Sequence, residues 1–169
     1  ASSDANGSIS PSGEVTVNAA TDKAYTISPS ANYHIADVLV DGASVGAVGT
    51  YTFTEVTANH TIAASFAINT FTITATPGGN GTISPGTETV NAGTNDTFTI
   101  IPNTNYHIAN VVVDNISQGA IATYAFANVV ANHTVAASFA INTFTITASA
   151  GDSGSISPSG TVTVDTGAN

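Results

Sequence analysis

Apolar and polar residues alternate with a period of two along most of this chain, and no segment carries an apolar stripe at helical spacing. Phe71-Thr-Ile-Thr-Ala75 places Phe71, Ile73 and Ala75 on one face and Thr72 and Thr74 on the other, and residues 144–148 repeat the arrangement. Such a segment reads as a half-buried strand, apolar side inward and threonines to water. Further strands are predicted at 14–17 and 87–90, 24–27 and 97–100, 51–53 and 124–126, and 61–66. Val38-Leu-Val40 and Val111-Val-Val113 are apolar on both faces, which predicts the most buried strand. Pro77-Gly-Gly-Asn-Gly81 is a turn cluster, and it predicts a hairpin joining 71–75 to Thr82-Ile-Ser84. Asp41-Gly42 and Asp114-Asn115 are turn pairs whose carboxylates are expected to accept backbone N–H groups in Asx turns. The fold class expected is all-β, with no substantial helix.

The pattern recurs. Gly7-Ser-Ile-Ser-Pro11, Gly81-Thr-Ile-Ser-Pro85 and Gly154-Ser-Ile-Ser-Pro158 lie 74 and 73 residues apart. Residues 58–74 return almost unchanged at 131–147. The chain therefore divides into a first unit at 1–70, a complete second unit at 71–142 and a partial third at 143–169. Units of about 73 residues are marginally stable alone. Pro11-Ser-Gly13 is one residue longer than Pro85-Gly86, an indel that fits a turn. Few residues separate one unit from the next, which predicts a semi-rigid array.

The ordered motifs resemble the divergent internalin-type B-repeat family of bacterial and archaeal surface proteins. They are the Gly-x-Ile-x-Pro segments, then Tyr33-His-Ile35 and Tyr106-His-Ile108 running into Val-x-Val-Asp. Tyr51-Thr-Phe53 and Tyr124-Ala-Phe126 follow, with Ala58-Asn-His-Thr-Ile-Ala-Ala-Ser-Phe66 and its counterpart closing each unit. The resemblance spans nearly the whole chain. It implies small β-rich modules, β-grasp-like in better-known members, a secreted or cell-surface location, and no catalytic chemistry.

Composition narrows the function. Asp and Glu total 11 against a single cation, Lys23. Nucleic acid needs a basic footprint, and anionic membranes and phosphate ligands are disfavoured likewise. With 42% apolar and 7% charged residues, the chain is not a disordered acidic tail. Cysteine and methionine are both absent, which fits an oxidising, exposed setting. Neither a signal peptide nor a run long enough to span a membrane is visible. Asn-x-Ser/Thr sequons at Asn6, Asn59, Asn80, Asn95, Asn115 and Asn132 are acceptors only in a glycosylating host.

Candidate chemistry is thin. His34, His60, His107 and His133 form two equivalent pairs, and Asp37 is a conceivable third metal ligand. The second unit has Asn110 in place of Asp37, so packing and turn roles are expected for the histidines and no metal site. Asp4, Asp152 and Asp165 lie in turn-like contexts where only a weak calcium contact is conceivable. No serine sits in a nucleophile elbow, and Glu55 becomes the neutral Asn128, so an enzyme is not expected. Tyr33, Tyr51, Tyr106 and Tyr124 are candidate glycan contacts, in an alternative reading of the chain as an adhesin or glycan-binding module.

The phase of the units carries the main expectation. Residues 1–6 align with 148–153, so the Phe-Thr-Ile-Thr strand has no counterpart in the first unit, while the tail supplies one. Either the chain is a window on a longer repeat protein, or the tail of one subunit completes the first unit of another by strand addition. Phe144, Ile146, Ala148 and Ile156 are the residues expected to form the assembly strand. The expected function is that of a structural extracellular stalk or filament, with copies of itself as partners and no cofactor.

Overall fold

The structure, a computed structural model, describes residues 1–167. It is all-β, and no helix occurs among the described residues. Along the first repeat run β1 (Ser2–Ser3), β2 (Gly7–Ser10), β3 (Lys23–Pro29), β4 (Tyr33–Val40), β5 (Ala43–Ser44), β6 (Thr50–Phe53) and β7 (Ile62–Ile68). The second comprises β8 (Thr70–Pro77), β9 (Gly81–Ser84), β10 (Glu88–Asn91), β11 (Asp96–Pro102), β12 (Tyr106–Val113), β13 (Ile116–Gly119), β14 (Thr123–Phe126) and β15 (His133–Ile141). The tail holds β16 (Thr143–Ala148) and β17 (Gly160–Asp165).

Two compact units divide between Thr70 and Phe71, except that Asn91–Gly93 groups with the first. The expected third segment, described as far as residue 167, groups with the second. In the second unit, one sheet has the order β10-β8-β15-β12-β13 and the other β14-β11-β9. Both feed one core, in which Ile73, Phe98, Val111, Val129 and Val135 are essentially inaccessible. The first unit repeats the plan with β1-β7-β4-β5 and β2-β3-β6, around Ile9, Tyr25, Ile27, Val38, Val40, Ile62 and Phe66.

Period two encodes which side chains face inward, and the cores follow it. Tyr25 and Phe98 occupy the same buried position, the second ring edge-on to Phe126 at 5.8 Å. Two expectations need correction. Pro77–Gly81 does not form a hairpin: β8 pairs with β15, and β9 pairs with β11 in the other sheet. The turn is a corner between sheets. Val38-Leu-Val40 is central in its sheet but not buried on both faces, since Leu39 is 40% exposed while Val38 is fully buried. Leucine on the outer face of a two-sheet unit still faces water.

The recurrent glycine of the Gly-x-Ile-x-Pro motif has a packing cause. The ring of Phe66 lies directly over Gly7, and that of Phe139 over Gly81, where a Cβ would stand. Gly154 has nothing near that position. β4 and β12 each bulge, at Ala36 and Ala109, against β7 and β15.

Candidate functional site

The four histidines serve two structural roles, once in each unit. His34 Nδ1 lies 2.8 Å from Asn69 Oδ1, and His107 Nδ1 lies 2.9 Å from Asn142 Oδ1. His60 Nδ1 lies 2.8 Å from Asp41 Oδ2 and stacks on Phe53, while His133 Nδ1 lies 2.7 Å from Asp114 Oδ2 beside Phe126. No group of three or more potential metal-ligating side chains occurs among the described residues. Asp37 Oδ1 accepts from Ser44 Oγ at 2.6 Å, and Asn110 Oδ1 accepts from Ser117 Oγ at 2.7 Å. An amide oxygen serves there as well as a carboxylate. Glu55 and Asn128 both sit at positive φ and donate their backbone N–H to Asp22 and Asn95. Of the turn-region acids, Asp4 accepts the backbone N–H of Asn6 and of Phe66.

The Asx-turn expectation is corrected at Asp41 and Asp114. Their carboxylates accept the N–H of Thr61 and Thr134, twenty residues away, at 2.7 and 2.8 Å. Each ties the end of a central strand to the start of its neighbour. The hydrogen bonds from His60 and from Thr61 N–H hold the Asp41 carboxyl below its ordinary value. At Asp114 burial pushes upward, but His133 and Thr134 N–H outweigh it and the value is again lowered. A depressed carboxyl stabilises the fold above its unfolded pKa, and that stability is lost as pH falls through the folded value. Acidification below about pH 4 should therefore lower the melting temperature. A doubly substituted Asp41→Asn, Asp114→Asn chain should show a shallower acid slope in melts followed by circular dichroism. Parallel slopes would contradict this reading.

Glu88 is raised above its ordinary value by a hydrogen bond to Asp96, by burial and by the like charge of Asp96. Asp96 Oδ2 is buried and accepts no hydrogen bond from the described residues. The first unit carries Val15 and Lys23 at these positions, so the acid pair is not a feature of both repeats.

Tyr33, Tyr51, Tyr106 and Tyr124 are half-buried. Tyr51 lies edge-on to Phe53 and Tyr124 to Phe126, both at 4.9 Å. Tyr33 packs against the core of the first unit.

Two features without structural explanation inside their own unit remain. The first is β16, which pairs with β17 in register from Thr143 opposite Asp165 to Ala148 opposite Gly160. Phe144 is 62% exposed and Ile146 58%; Ile156 is exposed and Ala148 half-buried. The second is a groove of about 510 Å³ in the first unit, lined by Val15, Val17, Tyr25, Phe53, Asn59, His60 and Ile62 among others. It lies where β8 lies in the second unit. There β8 separates β10 from β15, and Ile73 is fully buried. In the first unit, β1 reaches only Ala63 and Ala64 of β7, and the strand expected at 14–17 does not form, its counterpart β10 in the second unit having β8 to pair with. Val56 is half-buried although its counterpart Val129 is essentially inaccessible.

Sequence reasoning identified the strand and missed the groove and the role of Asn132, whose Oδ1 accepts the N–H of Thr72 at 2.8 Å. The repeat places Asn59 at the equivalent position, on the groove wall. Compared with known proteins, the chain matches no family model, no curated protein and no solved structure.

Proposed function

We propose that this chain is a non-enzymatic structural repeat protein of the cell exterior, whose copies join end to end into a stalk or filament. The observation that carries the reading is β16, an ordered strand of a two-stranded sheet whose Phe144 and Ile146 side chains are both open to water. An exposed strand of this kind is a template for pairing with another chain. Burying Phe144 and Ile146 contributes about 1.5–3 kcal/mol each, enough for assembly when many copies repeat the contact. A contact between two different surfaces of one chain need not close into a ring, and then it propagates. The repeated units, the Thr- and Ser-rich outer faces and the internalin-type motifs support the same reading.

Sedimentation velocity and negative-stain microscopy of the 169-residue chain test it. Linear species should grow with protein concentration and vanish in a Phe144→Ser, Ile146→Ser chain. A wild-type chain that remains monomeric at millimolar concentration, with both side chains in water, would refute the proposal.

A further inference from the structure

The geometry points to a defined seat for that strand: the groove of the first unit takes Thr143–Thr147 of a second copy, as a new strand parallel to β7. This rests on the end-to-end assembly proposed above and specifies its two surfaces. The second unit holds the template. Residues 70–74 are identical in sequence to 143–147. They run parallel to β15, with Ile73 opposite His133 and Thr74 opposite Thr134. Phe71 and Ile73 enter the core, and Thr72 N–H donates to Asn132 Oδ1. Position by position, the first unit offers Asn59 for Asn132, His60 for His133, Ile62 for Val135, Tyr25 for Phe98 and Phe53 for Phe126, and all five line the groove.

Register follows from β1. Ser2 and Ser3 stand opposite Ala63 and Ala64 of β7, as Thr76 and Pro77 stand opposite Ala136 and Ala137 of β15. A guest strand ending at Thr147 continues this line and meets Ala1. Phe144 and Ile146 then face the apolar lining, Ile146 lies opposite His60, and Thr145 N–H donates to Asn59 Oδ1.

The second wall is residues 14–18, with Val15 and Val17 half-buried. Ala1 and Gly13 already exchange both backbone hydrogen bonds, at 2.6 and 2.9 Å, which is the first rung of a ladder along this wall. In the free chain, β16 pairs with Gly160-Thr-Val-Thr-Val-Asp165; the wall reads Gly13-Glu-Val-Thr-Val-Asn18. The strand thus exchanges one antiparallel neighbour for a near-equivalent and gains a parallel one, while two apolar side chains leave water. The guest pentapeptide is uncharged, so its entry adds no repulsion to a chain of net charge −10.

The test uses the full chain carrying Phe144→Ser and Ile146→Ser, which removes competition from its own tail. The probe is an end-blocked peptide with the sequence of residues 142–147. Amide shifts in NMR titration should move at Asn59, His60, Ile62 and residues 14–18. A peptide with aspartate at the Ile146 position should bind at least ~30-fold more weakly, and an Asn59→Ala chain about 5-fold more weakly. Shifts confined to other surfaces, or no preference for the isoleucine peptide, overturn the inference. So does a wild-type monomer whose groove is already occupied by its own tail. Filaments that form normally with Asn59→Ala combined with Val17→Asp overturn the groove and leave assembly standing. Peptide binding in the groove by a chain that never assembles refutes the filament and leaves the groove as a strand-binding site.

Discussion

Ile73→Ala should destabilise the second unit by about 2–5 kcal/mol, whereas Ile146→Ala in dilute, unassembled protein should change stability by less than about 0.5 kcal/mol. The two residues sit at the same position of one pentapeptide, Thr-Phe-Thr-Ile-Thr. Intrinsic strand propensity and local sequence are therefore matched, and what differs is the cover on the inner face. Ile73 is fully buried among Phe98, Phe126 and Val135, so truncation removes contacts and leaves a cavity in a packed interior. Ile146 projects into water beside β17, where truncation removes nothing the fold depends on. Equilibrium unfolding, with hydrogen exchange at the β15 amides to assign the loss to the second unit, reads the difference. Equal effects for the two substitutions would mean that β16 is covered in solution even by dilute protein.

Gly7→Ala should cost about 1–3 kcal/mol, with a comparable effect at Gly81, and Gly154→Ala should be close to neutral. The cause is close approach rather than backbone conformation. A methyl group at Gly7 would occupy the space of the Phe66 ring, and Phe66 is itself buried in the core of its unit. The ring must leave its position or the strand must shift, and either disturbs the packing of Ile9 and Val38. Phe66→Leu combined with Gly7→Ala should recover part of the loss, so the pair should deviate from additivity in a double-mutant cycle. Thermal melts of the three alanine variants provide the check. A destabilisation at Gly154 as large as at Gly7 would show that the motif glycine serves the backbone and not the ring.

These contrasts show what alternation encodes. Period two assigns a face to each side chain, so the all-β class, the positions of most strands and the inward set around Phe98 and Tyr25 follow from the sequence. It does not encode the pairing partner. The turn cluster after β8 predicts a hairpin with the nearest strand, yet β8 lies between β10 and β15, and β15 is about sixty residues further on. The same blindness hides the groove, whose walls come from residues 14–18 and 58–62 and meet only when the sheets close. What a side chain does not do is legible where the two repeats differ: Asn110 for Asp37 and Asn128 for Glu55 argue against a metal ligand and a catalytic carboxylate. The hydrogen bonds from Ser44 and Ser117, and the positive-φ turns at Glu55 and Asn128, are visible only in the fold. Asp41 and Asp114 were legible as acceptors, while their donors, across the sheet at Thr61 and Thr134, were not.

The parallel pairing of β8 with β15 also sets an order of events during synthesis. Strand β8 leaves the ribosome long before residues 133–137, and until those residues arrive its sheet offers it only β10 on one edge, with the β15 edge unpaired. Throughout that interval the nascent chain displays a segment identical to the one at its own end. Crowded polysomes would thus present many interchangeable copies of one sticky pentapeptide.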